Sequence, residues 1–291
     1  LERLDATQDD WRSFIQSPES VFEKVREGEF VGRVWLMEKV DAFLNDPHHH
    51  SGVLLLEGVA GVGKTAFMAH LVHLHNYPQL FAWQFPGDAN VVDAIKSLAA
   101  QLVDRYATLN DYAKRDRIED DAKESTNFLQ NIIDRVAREL PDGEKLVIVC
   151  DGLDEAGIGR NGNSFNLPRK LPKGVYLLLA QRPNTRRIEI ECERFETLTL
   201  EAGSTNNQQD IELYLTDAAL KPNVAKQLRE HNYTDAQFIQ TLKEKSEGIW
   251  IYLYFVIAEI EHAFVQMNVG VADATGQHLH EDLGALRHWR G

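Results

Sequence analysis

Val53-Leu54-Leu55-Leu56-Glu57-Gly58-Val59-Ala60-Gly61-Val62-Gly63-Lys64-Thr65 is an apolar run, then a glycine turn, then a lysine and a hydroxyl. Val53 to Leu56 is apolar at successive positions, as a strand buried on both faces would be. Gly58 to Thr65 fits G-x-x-x-x-G-K-[ST], and a helix is expected from Lys64 to about His75. In this pattern the glycines let backbone N–H groups wrap phosphates. The helix N-terminus adds partial positive charge. Lys64 would reach the β- and γ-phosphates, and the Thr65 hydroxyl would ligate Mg²⁺. Gly58, Val59, Ala60, Gly61, Val62, Gly63, Lys64, Thr65 and Ala66 are therefore the expected nucleotide-binding residues.

The pattern repeats outward from this unit. Strands are expected at Leu80–Phe85, Leu146–Cys150, Val175–Ala180 and Phe195–Leu200. Helices are expected at Val34–Leu44, Val91–Tyr106 and Phe128–Leu140, with a loop or exposed helix over Asn110–Asp121. Apolar strands separated by helices imply a parallel sheet covered on both faces. After Gly203 the strands stop, and residues 207–219, 222–231, 234–246 and 249–266 all show helical periodicity. The expected organisation is an N-terminal helical linker over 1–28, an α/β core over 29–203 and a helical domain over 204–291. The expected fold class is α/β: the strand–loop–helix unit resembles additional-strand P-loop NTPases, and that resemblance implies a five-stranded parallel sheet of order 5-1-4-3-2, followed by a helical lid.

A phosphate loop needs a carboxylate at the tip of a neighbouring strand to hold the metal. Leu146-Val147-Ile148-Val149-Cys150-Asp151 supplies Asp151, so Thr65 and Asp151 are the expected metal ligands. Gly152-Leu153-Asp154-Glu155 follows, with two carboxylates able to orient or deprotonate a water. Arg182, in Ala180-Gln181-Arg182-Pro183, stands at the tip of the next strand and is the candidate γ-phosphate sensor. Its bland alternative is pairing with a loop acid. Arg186 and Arg187 read as a solvated charge pair, and Cys150 as a small apolar strand residue.

Composition excludes several classes. The chain has 291 residues, 43% hydrophobic and 26% charged, and can bury a sizeable core. Asp and Glu number 45 against 31 Lys and Arg, a net charge of −14, which disfavours non-specific nucleic-acid binding. Two cysteines, Cys150 and Cys192, make no disulfide framework and point to a reducing compartment, the cytoplasm. The longest apolar run, Ile249 to Ala258, is too short to span a membrane. No guanine-reading N-K-x-D motif is present, so ATP or ADP is the expected nucleotide. The chain begins with Leu1 and reads as a piece of a longer protein. His48-His49-His50 reads as a solvated loop, His70, His73 and His75 as structural, Glu119-Asp120-Asp121 as a helix N-terminus, and Trp250, Tyr252, Tyr254 and Phe255 as helix packing.

Together these motifs resemble the NACHT group of STAND-class signalling NTPases over residues 29–266. The likeness rests on Phe30-Val31-Gly32-Arg33 before an amphipathic helix, the Gly58–Thr65 loop, Asp151-Gly152-Leu153-Asp154-Glu155 and Arg182, with a weaker likeness in Ser246-Glu247-Gly248-Ile249-Trp250-Ile251-Tyr252. The resemblance implies a slowly hydrolysing ATP switch that exchanges ADP for ATP, homo-oligomerises and activates an effector, extending to immune or antiviral defence. It implies that the backbone near Val31 lies beside the adenine with Arg33 supporting it. It also implies sensor and effector domains outside this chain, and a winged-helix domain of which the chain reaches at most the threshold. The runner-up is a constitutive mechanical ATPase of AAA+ type acting on nucleic acid or protein. A non-catalytic scaffold stabilised by nucleotide is the third reading.

Overall fold

The computed structural model describes residues 10–17, 19, 30–86, 90–185 and 188–269, with side chains of the last helix to 261. Five parallel strands form one sheet: β1 (Gly52–Gly58), β2 (Gln79–Phe81), β3 (Leu146–Asp151), β4 (Val175–Gln181) and β5 (Arg194–Leu200). Their order is β2-β3-β4-β1-β5, the expected 5-1-4-3-2 read from the other edge. The phosphate-loop strand β1 is therefore internal, between β4 and the edge strand β5.

Side-chain alternation along the strands splits the core into two layers. On one face Leu54, Leu56, Val147, Val149 and Leu178 pack against α1 (Val34–Leu44) and α2 (Lys64–His75) through Leu36, Phe43, Phe67 and Leu71. On the other face Val53, Leu55, Ile148, Leu177 and Leu179 meet α3 (Val91–Arg105) and α5 (Phe128–Glu139) through Leu98, Leu102, Ile132 and Val136. A short 3₁₀ turn, Trp11–Phe14, docks two aromatics on this second layer. The expected helix around Val21–Val25 lies outside the described residues.

After β5 come four helices: α6 (Thr205–Leu220), α7 (Pro222–Glu230), α8 (Asp235–Ser246) and α9 (Trp250–Val269). Ile211, Leu215, Val224, Phe238, Leu242, Leu253 and Ile257 close a third, separate core among them. Two starts are written in the sequence. Pro222 opens α7 with its φ already helical, and Thr234 with Gln237 forms a capping box at α8. No described helix is long and apolar enough to cross a membrane.

Three expectations are corrected. The second strand ends at Phe81 rather than Phe85, and Ala82–Gln84 is a 3₁₀ turn. Phe81 pairs with Asp151, the last residue of β3, so nothing beyond it is available for pairing. Glu119-Asp120-Asp121 is not a helix N-terminus. The helix, α4 (Arg115–Glu124), starts earlier because Ile118 and Ala122, one turn apart, are buried on one face. The acids instead serve that helix's own ladder, with Lys123 donating to Glu119 at 2.6 Å. Finally, β5 is not apolar on both faces. As an edge strand it alternates, and Phe195 is 44% exposed. No helix is described between β4 and β5. A groove of about 900 Å³ remains there, lined by Leu55, Glu57, Gln181, Ile188, Ile190 and Phe195.

Candidate functional site

The phosphate loop joins β1 to α2 across two left-handed glycines, Gly61 at φ 77° and Gly63 at φ 99°. A side chain in that region is strained. At Gly61 an added Cβ would also lie 2.6 Å from Ile251. Gly63 caps α2 without any side-chain hydrogen bond, so the first N–H groups of the helix keep their donor capacity for a ligand. Val62 is fully buried, and its side chain sits where a Gly58 Cβ would be. Val59 and Ala60 are exposed, and Thr65 and Ala66 are half-buried on the first turn.

Lys64 Nζ donates to Gly58 O at 2.5 Å and to Val59 O at 3.0 Å, so the ammonium lies inside the curve of the loop. Burial lowers its pKa, and Asp151 and Asp154 oppose the shift. Thr65 Oγ1 donates to Asp151 Oδ2 at 2.7 Å. Asp151 is pushed up to about 6, first by burial, while the Thr65 bond and Lys64 pull it down and Asp154 and Glu155 push it further up. A hydroxyl and a carboxylate oxygen, both hard donors, thus stand together beside the loop. A dication there would relieve the buried charge that raises the Asp151 carboxyl. The described residues contain no cluster of three or more His, Cys, Asp or Glu able to hold a metal alone.

Gly152 turns the chain after β3 at φ 76°, with Ala82 Cβ 2.9 Å from where its own Cβ would be. Gly152 N and Leu153 N both donate to Ala180 O at the tip of β4, fastening the acidic loop there. Asp154 accepts Arg182 N at 3.1 Å, and Arg182 Nε lies 3.3 Å from its other oxygen. Glu155 pairs with the far end of the same guanidinium. Arg182 therefore bridges both acids. Asp154 is 9% exposed, whereas Glu155 and Arg182 are about half exposed.

The Phe30–Arg33 segment reaches the loop from the other side. Phe30 stacks on His70 of α2 at 3.9 Å between ring centres, and Val31 is half-buried. Arg33, at φ 61°, is 3% exposed, and its Nη2 donates to Val62 O at 2.7 Å. Its Nη1 lies 3.8 Å from Asp210, and its guanidinium covers the Trp250 ring at 5.0 Å. Burial lowers its pKa, and Asp210 opposes this. The partners described for Arg33 are thus the phosphate loop and the helical segment.

Sequence reasoning missed Asp210 and Asn207, both on α6 and both buried. Asp210 accepts Trp35 Nε1 at 3.0 Å, and Asn207 accepts Trp250 Nε1 at 2.8 Å. Nothing local marks either residue, because each partner is distant in the chain. The Gln181–Glu57 bond of 2.8 Å, across the tips of β4 and β1, was likewise unseen.

The parallel five-stranded sheet, its order and the loop after β1 define an α/β P-loop NTPase fold. An AAA ATPase domain is found over residues 29–160, a stretch that includes the loop, Asp151, Asp154 and Glu155 and stops before Arg182. The chain is also similar to mouse telomerase protein component 1, with 24% identity over 225 residues. That match covers 71% of this chain and 8% of the relative's length, so the chain spans a small fraction of that curated protein. The domain match supports a nucleotide-binding NTPase.

Proposed function

We propose that this chain is the nucleotide-operated switch module of a larger STAND-class protein of the NACHT group. In this reading it binds ATP or ADP with Mg²⁺, hydrolyses ATP slowly, and couples exchange to homo-oligomerisation and effector activation in the cytoplasm. The observation that carries the reading is the Arg182 bridge. With its guanidinium on Asp154 and Glu155, neither acid is free to handle water, which is what a latched module needs at rest.

In the proposed cycle Lys64 leaves the carbonyls of Gly58 and Val59 for the β- and γ-phosphates. Thr65 and Asp151 would hold Mg²⁺, which would supply charge neutralisation for the phosphates. Arg182 moves to the γ-phosphate, and Glu155 is released to orient the attacking water. Asp154 stays, because its bond to Arg182 N is a backbone bond that the side-chain movement does not break. Asp154 is then a positioning residue and Glu155 the water-handling one.

Two free thiols, Cys150 and Cys192, support a reducing setting. The relative's printed name ties it to telomerase. For this chain the net charge of −14 argues against nucleic acid as the direct ligand, and a link to immune or antiviral defence belongs to the same proposal. The second reading, a constitutive mechanical ATPase, is favoured by the AAA ATPase domain match.

The deciding experiment identifies the nucleotide released on denaturing purified wild type beside Lys64→Ala. Stoichiometric ADP from wild type alone supports a latched switch. Empty wild type with fast turnover, stimulated by DNA or RNA, moves the case to the mechanical ATPase. Equal ATP binding by both proteins removes the phosphate-loop reading altogether.

A further inference from the structure

Two consecutive carbonyls of the phosphate loop are held from outside it. Gly61 O accepts Trp250 N at 2.9 Å and Ile251 N at 3.1 Å. Val62 O accepts Arg33 Nη2 at 2.7 Å. The first two donors open α9 and have no partner within their own helix, so the loop caps that helix. Side chains seal the contact. A Gly61 Cβ would lie 2.6 Å from Ile251 and 2.9 Å from Ile249, and a Gly63 Cβ would face the Trp250 ring at 3.8 Å.

These bonds fix more than the carbonyls. In a trans peptide the C=O and the following N–H point to opposite sides, and no described peptide is cis. Turning Gly61 O outward to α9 turns Val62 N–H inward. Turning Val62 O outward to Arg33 turns Gly63 N–H inward. Neither of these amides donates to a described residue. They remain as an open nest of donors of the kind that binds phosphate.

The outer donors are themselves held by one face of α6. Asn207 accepts Trp250 Nε1 at 2.8 Å and donates to Gly248 O at 3.0 Å, just before α9. Asp210, three residues on and so on the same helical face, stands 3.8 Å from Arg33 and accepts Trp35 Nε1. Both α6 side chains are buried.

We infer that Asn207 and Asp210, acting through the start of α9 and through Arg33, hold the Val62 and Gly63 amides aimed at a pyrophosphate group, so that seating of the helical segment and binding of di- or triphosphate are coupled. Arg33, Trp250, Asn207 and Asp210 are positioning residues in this arrangement. The coupling rests on the phosphate-loop reading, and linkage makes it reciprocal: phosphate tightens the seat as much as the seat tightens phosphate.

The test uses inorganic pyrophosphate, ADP and adenosine as probes on the whole chain. Arg33→Met should weaken pyrophosphate and ADP alike, by about tenfold or more for one lost bond from a charged donor, and weaken adenosine much less. Arg33→Lys, which can still donate to Val62 O, should restore part of the loss. Trp250→Pro keeps a residue suited to the first turn of a helix but deletes one donor to Gly61 O. It should bind pyrophosphate about threefold more weakly than Trp250→Ala, which loses the indole and keeps the N–H. In wild type, pyrophosphate should slow hydrogen exchange of the Trp250 and Ile251 amides. The inference is overturned if Arg33→Met and Trp250→Pro bind pyrophosphate like their controls, or if adenosine and ADP weaken equally. Wild type that binds neither pyrophosphate nor ADP would overturn the phosphate-loop reading beneath it.

Discussion

The site contains two acid-centred pairs of opposite character. Thr65 and Asp151 meet at 2.7 Å, with Asp151 only 4% exposed. Arg182 and Glu155 meet where both are about half exposed. In the first pair, burial makes the charge costly and leaves it waiting for a compensating cation. In the second, water screens the charges and the bond can be exchanged at little cost. In the proposed cycle this contrast would separate binding from switching: the buried pair is the costly one to disrupt and the exposed pair the easily exchanged one.

The largest effect tests the buried end. Asp151→Asn or Lys64→Ala should lower ATP turnover by about 100-fold or more, because each removes a charge from the phosphoryl-transfer site. Steady-state phosphate release measures it, and near-normal turnover in either variant would end the assigned roles. A smaller effect comes from the charge on Asp151 itself. Its carboxyl ionises near 6 in the folded chain, above the ordinary 3.8. The protonated form is therefore favoured by folding. Its contribution to stability is fully present below about pH 4 and lost as pH rises through 6. Without metal or nucleotide, Asp151→Asn should gain about 2–3 kcal/mol over wild type at pH 7.5 and almost nothing at pH 4, by urea unfolding. A gain that does not vary with pH would refute the burial argument.

The exposed end should respond on a smaller scale. Asp154→Asn disturbs a largely buried acceptor of Arg182 N and should cost about 1 kcal/mol of stability. Glu155→Gln should leave the melting temperature unchanged while lowering turnover. Reversed behaviour would exchange the roles of the two acids. Least of all, Arg182→Ala should shift stability by no more than about 0.5 kcal/mol, since its guanidinium is half exposed and Asp154, its buried partner, keeps the bond from the residue 182 backbone N–H. It should nonetheless erase any preference for ATP over ADP in binding assays. An intact preference would place γ-phosphate sensing elsewhere.

Much of the fold was legible because its causes are local. Gly61 and Gly63 announce left-handed backbone, the apolar runs at Val53 and Leu146 announce buried strands, and helical spacing from 207 onward announces the separate helical core. Legibility failed where position in the sheet mattered. The truncation of β2 at Phe81 depends on where β3 ends, and the half-exposed β5 depends on lying at an edge. In the site, Thr65 and Asp151 could be matched in advance because a phosphate loop requires an acid at a strand tip. Asn207 and Asp210 could not, since an Asn and an Asp within a polar helical stretch carry no sign of what they will face.

What the sequence determined by itself is the strand–loop–helix unit around Lys64, the parallel sheet and the helical periodicity after it, because backbone sterics and side-chain alternation act over a few residues. What only the tertiary structure decided is which groups close the loop from outside: Arg33 on Val62, the start of α9 on Gly61, and α6 beneath both. Those contacts join residues 29 to 190 positions apart, and hydrogen-bond partners at such separations are chosen by packing rather than by the local chain.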